Sequence, residues 1–163
     1  MKYLRQDGAR FELEFAPEER QLLLHLLGFY PLVPESYHRV TKDRKLARRL
    51  ENQQMLDEAM KAQRDKNKLE VQTLINEPER FKEQDGACRV RLERGELEWL
   101  LQVLNDIRIG SWIALGSPGY EKKPSPPKDK DAARNLMFME LAGAFEMFFL
   151  GILNGDVMPE SLE

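Results

Sequence analysis

The chain has 163 residues, 42% hydrophobic and 33% charged, which suits one soluble globular domain and excludes a disordered or fibrous chain. A formal net charge of −3 gives no overall attraction to nucleic acid or anionic membrane. A single cysteine excludes an internal disulfide, and Met1–Asp7 lacks the apolar core of a signal peptide, so a cytoplasmic location is expected.

In chain order, Tyr3 to Phe15 predicts a hairpin turning at Asp7-Gly8, because Asp-Gly supplies the positive φ angles of tight turns. Phe11-Glu12-Leu13-Glu14-Phe15 alternates apolar and polar, as a half-buried strand does. A leucine-rich helix follows from Pro17 to about Leu27, started by Glu18 and Glu19 and stopped by Gly28 and Pro31, with Pro34 keeping the next residues extended. Together these make a strand-helix module over 1–30. Residues 38–76 form a polar helical region, either one helix projecting beyond the core or two joined by a break at Gln63–Lys68, and Pro78 ends it.

The first pattern then returns about seventy-seven residues on. Cys88-Arg89-Val90-Arg91-Leu92 alternates, Glu96 starts a helix running to Leu115, and Gln84-Asp85-Gly86-Ala87 repeats Gln6-Asp7-Gly8-Ala9. This second strand-helix module covers 87–115, and the two strands are expected in one sheet, since each has only one apolar face to bury. A proline- and lysine-rich loop spans 116–130. Asp131 then N-caps an apolar helix over 131–154, closed by Asn154-Gly155. That helix approaches membrane-spanning length, but Glu140 and Glu146 lie inside it, and an acidic residue at mid-bilayer costs roughly 2.5–3.5 kcal/mol. A core helix is expected instead. The fold class is α+β, mostly α: four to five helices around the C-terminal helix, with a small two- or three-stranded antiparallel sheet.

Chemistry-bearing motifs are few. His25 interrupts a leucine run and reads as a partly buried structural histidine; Cys88 opens a strand and reads as a packed thiol. No spacing points to a metal, a cofactor or a catalytic residue, and Gly116-Ser117-Pro118-Gly119 lacks the lysine of a phosphate loop. Basic residues cluster over 39–49, where Arg39, Lys42, Lys45 and Arg49 are the candidates for phosphate contact; charge on both flanks of the Leu46/Leu50 stripe reads more simply as a solvated helix.

The sharper signal is Leu104-Asn105-Asp106-Ile107-Arg108, because Asn and Asp compete with the backbone inside a helix and need compensation. Glu140 and Glu146 are the matching anomaly in the last helix. One reading is a structural network in which a buried Arg108 meets a carboxylate, with Glu140, Glu146 and Asp106 as candidates in that order. The other is a small binding pocket built from Asn105, Asp106, Arg108, Glu140 and Glu146.

This Leu-Asn-Asp-Ile-Arg segment, the Glu-Glu-started leucine helix and Pro31–Tyr37 before a charged helix resemble a bacterial domain-of-unknown-function family of small cytoplasmic proteins. There a Leu-Asn-Asp-aliphatic-Arg motif precedes a glycine-bounded loop and a final apolar helix. The resemblance implies no established activity, and genes that can lie near a protease adaptor, which makes such an adaptor a candidate partner. The expected function is a non-enzymatic protein-interaction or regulatory module, a homodimer joined through the last helix or the polar region. The alternatives are a nucleic-acid-associated factor using 39–49 and an enzyme with a polar pocket at Asp106 and Arg108.

Overall fold

A computed structural model describes residues 1–37, 49–119 and 126–160. Its strands are β1 (Lys2–Asp7), β2 (Arg10–Phe15), β3 (Lys82–Gln84) and β4 (Ala87–Glu93); its α-helices are α1 (Pro17–Leu27), α2 (Arg49–Asn76), α3 (Arg94–Ala114) and α4 (Lys130–Asn154). The sheet is antiparallel with order β1-β2-β4-β3. It therefore has four strands, not two or three. The additional strand, β3, carries no apolar residue and exists because β4 offers it a free edge.

The repeat in the sequence is a repeat in the fold. Each module is a hairpin followed by a helix, and β2 and β4 pair at the centre of the sheet. Leu13 faces Val90 across that seam, Phe11 faces Leu92 and Phe15 faces Cys88. Leu13 and Val90 are also matched by the seventy-seven-residue repeat, so strand order and register have the symmetry of a local two-fold axis through that pair. The turns break the symmetry. Asp85 and Gly86 both have positive φ, 51° and 79°, as a type I′ turn demands, and they connect Gln84 to Ala87. In the first hairpin the paired residues are Asp7 and Arg10, so the turn is Gly8-Ala9 rather than Asp7-Gly8, with positive φ at Gly8.

One face of the sheet carries Tyr3, Phe11, Leu13, Phe15, Cys88, Val90 and Leu92, all buried in a cluster shared with α1, α3, α4 and the end of α2. The other face is charged in cross-strand rows: Arg5–Glu12–Arg91, and Lys2–Glu14–Arg89. On the β1 edge, the Glu160 N–H donates to the Tyr3 carbonyl at 2.8 Å.

Both modules open their helices alike. A glutamate at the third helical position accepts the backbone N–H just before the helix, Glu19 from Ala16 at 2.9 Å and Glu96 from Glu93 at 2.8 Å. Each also takes a cation from the segment ahead of its hairpin: the Met1 ammonium at 2.6 Å for Glu19, and Arg80 for Glu96. Burial raises the Glu19 carboxyl, but the ammonium and the Ala16 N–H outweigh it and leave it below the usual carboxylate range.

The polar region from Arg49 onward is one 28-residue helix, about 42 Å long at 1.5 Å per residue, with no break at Gln63–Lys68. Only its second half is seated. Arg64, Asn67, Val71 and Leu74 recur at alternating spacings of three and four and are buried, while Leu50 and Met55 are exposed. Helix α4 starts two residues earlier than its N-cap signal, with Asp129 rather than Asp131 as N-cap, accepting from Ala132 N at 2.7 Å. It packs along α3 on one side, but only a third of its most apolar eighteen-residue window is buried. The expectation that the rest of the chain surrounds this helix is corrected: by length and composition it could cross a membrane, and here it is a flanking helix with an open side.

Candidate functional site

Helix α3 buries Leu97, Leu100, Val103, Leu104, Ile107, Gly110 and Ser111. The face through Val103 and Gly110 meets the chain leaving α1. A Cβ on Gly110 would overlap the Cβ and carbonyl carbon of Leu32, so backbone and helix are in direct contact there. One turn away, Asp106 Oδ1 accepts the N–H groups of Leu32 at 2.6 Å and Val33 at 3.2 Å. That is the compensation the helix-interior aspartate needs.

The same strap is held from its other side by α2. Arg64 Nη2 donates to the Val33 carbonyl at 2.8 Å, and the guanidinium lies 3.7 Å from Glu35. Asn67 Nδ2 donates to the Tyr30 hydroxyl at 3.3 Å, and Asn67 Oδ1 accepts from Gln63 Nε2 at 2.9 Å. Burial raises the Tyr30 phenol, and the Asn67 hydrogen bond opposes that shift. Sequence reasoning missed Arg64 and Asn67. Their signal was the continuation of the Val71/Leu74 spacing through two polar residues, which reads as a break only if every buried position must be apolar.

Arg108 leaves α3 on another side. Its Nε lies 2.9 Å from Glu146 Oε2 of α4, and its Nη2 donates to Asn105 Oδ1 at 3.0 Å. The Nε–H is not aligned with the carboxylate, and Glu146 Oε1 is buried without a hydrogen bond, so the contact is a charge pair rather than a two-pronged clasp. Arg108 is 42% exposed and Glu146 only 12%. Burial pushes the Glu146 carboxyl above its ordinary value, and Arg108 offsets only part of this.

Two expectations need correction. Arg108 is half-exposed rather than largely buried, and its carboxylate is Glu146 rather than Glu140, which is exposed on α4. The five residues read as one cluster fall into three places: Asp106 under the strap, Asn105–Arg108–Glu146 between α3 and α4, and Glu140 on the open side.

His25 is exposed in the last turn of α1, its ring edge-on to Phe29 at 5.1 Å, not partly buried. Cys88 is fully buried in the sheet core. Arg39, Lys42 and Lys45 lie outside the described residues, as does the side chain of Arg49, whose backbone opens α2. Among the described residues, no group of three or more His, Cys, Asp or Glu side chains could hold a metal ion. No protein-family model, curated protein or solved structure matches this chain.

Proposed function

We propose that this chain is a non-enzymatic interaction module that associates with a second copy of itself through the open side of α4. The observation that carries this is the apolar stripe of Met137, Ala144, Met147 and Leu150, exposed along a helix whose other side is seated on α3, with Met147 76% exposed. Met137, Ala144 and Met147 share the three-four spacing with which two helices interlock, and the exposed Glu140 occupies the remaining position of that row, between Met137 and Ala144. Of the small residues that permit close approach, Ala142 and Gly151 face inward, and Gly151 is covered by Val157. Ala144 is exposed and Gly143 has open space where a Cβ would be, so the stripe keeps a shallow centre.

The non-enzymatic part is supported by how the polar side chains are engaged. Asp106 binds strap backbone, and Arg108 points to α4, so the two do not converge on one pocket. Sedimentation velocity tests the proposal: wild type should run as a dimer at tens of micromolar, and Met147→Glu as a monomer with unchanged circular dichroism. A wild-type monomer mass at the highest soluble concentration would overturn it.

A further inference from the structure

The open face of the sheet carries a second, independent surface. Six cationic and four anionic side chains stand on it, in a chain whose formal net charge is −3. The two signs are not equally presented. Glu12 and Glu14 are only 14% and 16% exposed, lying beneath their arginines, and of the four anions only Glu93 and Asp7 are exposed. Lys2, Arg5, Arg91 and Arg10 are 53%, 50%, 61% and 63% exposed, Lys82 is exposed, and only Arg89, at 29%, is withdrawn. Glu12 serves two cations at once, Arg5 at 2.7 Å and Arg91 at 3.6 Å. A hydrogen bond from Arg5 holds its carboxyl below the usual range, so it stays ionised and keeps both guanidiniums standing over the sheet. At 3.6 Å from Glu12 and 3.4 Å from Glu93, Arg91 and Arg10 make loose contacts that leave guanidinium donors facing water.

We infer that this sheet face is a docking surface for an acidic, extended segment of a partner protein. Charge complementarity gives the sign. Geometry gives the shape: Arg89 and Arg91 alternate along β4, about 6.7 Å apart at the rise of a strand, which is also the spacing of alternate side chains on an extended peptide. A glutamate of such a peptide would meet Arg91 directly, and the glutamate two positions on would share Arg89 with Glu14 and Gln84, which hold it at 2.9 and 3.1 Å. Nucleic acid is the poorer fit, because none of the residues that β1 to β4 place on this face is aromatic, and single strands bind by stacking bases as well as by charge.

The test is fluorescence anisotropy with a labelled octapeptide of alternating Glu and Thr, against an alternating Lys-Thr octapeptide and a uridine oligonucleotide of equal charge. The Glu-Thr peptide should bind, the Lys-Thr peptide should not, and raising salt from about 50 to 300 mM should weaken binding roughly tenfold. Arg10→Glu with Arg91→Glu, both at exposed positions, should lose binding at least tenfold while the melting curve stays within a few degrees of wild type. If that double variant fails to fold, Arg10→Gln with Lys2→Gln, which leaves Glu12 its arginines, should still weaken binding about threefold. No binding at about 1 mM peptide, full binding by a folded variant, or tighter binding of the oligonucleotide than of the Glu-Thr peptide would overturn the inference. Met147→Glu should bind the peptide as wild type does, so failure here is separable from failure of the α4 reading.

Discussion

The two modules begin alike and end differently. Each has a hairpin with a two-residue turn, a strand with alternate residues buried, and a helix opened by a glutamate that caps backbone and takes a cation. After that point α1 stops at 11 residues and α3 continues to 21. The difference lies in what is available to cover. Where α1 ends, the Tyr30–Val33 strap crosses α3 at Gly110 and Asp106, so the first module ends by covering the second. Local signals set where a helix begins; the surface left to bury sets how far it runs.

The sharpest way to break this asymmetry is Gly110→Leu, which places a side chain where the Leu32 backbone lies. Overpacking of this kind costs up to about 3 kcal/mol and sometimes more, so the thermal midpoint should fall by roughly 6–12 °C. A variant melting with wild type would mean the strap does not sit on α3. Asp106→Ala comes next. It strips the shared acceptor from two N–H groups and should cost about 2–3 kcal/mol, with amide hydrogen exchange accelerated at Leu32 and Val33 before anywhere in α3.

A smaller effect probes what the modules share. Glu19→Ala and Glu96→Ala should each cost about 1 kcal/mol by urea unfolding, since each loses one helix-start hydrogen bond and one partly exposed cation. A loss confined to one would show that the two helix starts are equivalent in geometry only.

The smallest effect is a pH dependence of opposite sign at two glutamates. Glu19 has a lowered folded value, so its contribution is present above the ordinary glutamate range and is lost as pH falls through that lowered value. Glu146 has a raised folded value. The folded state therefore holds its proton more tightly, and stability declines as pH rises from the ordinary range through the raised one. Glu19→Gln should flatten the acid limb of a plot of melting temperature against pH. Glu146→Gln should flatten the decline above it. An unchanged profile for Glu146→Gln would mean that Arg108 fully compensates its burial.

These contrasts mark how far the sequence carries. The modules were legible because alternation and acidic helix starts are local signals, and the seam between β2 and β4 followed from each strand's single apolar face. Strand β3 was illegible: Lys82, Glu83 and Gln84 have no pattern, and only the Asp85-Gly86 turn hinted at a hairpin. The oddity of Asp106 was plain, but its partner was not, because the N–H groups of Leu32 and Val33 carry no side-chain signature. Choosing Glu140 over Glu146 failed for a related reason. A helix apolar nearly all round offers no stripe from which to tell the α3 side from the open side, so the density of apolar neighbours pointed to the wrong carboxylate.

The central seam also sets the tempo of folding. Either hairpin closes between near neighbours and can form in about 1–10 μs. The seam joins residues far apart in the chain, as Arg89 and Glu14 are at 75 positions apart, and its loop-closure entropy must be met before any core contact across it is gained. The rate-limiting event should be the meeting of two preformed halves. Truncating Leu13 or Val90 should therefore slow refolding, and changes that weaken either turn should also slow refolding while leaving unfolding nearly unchanged.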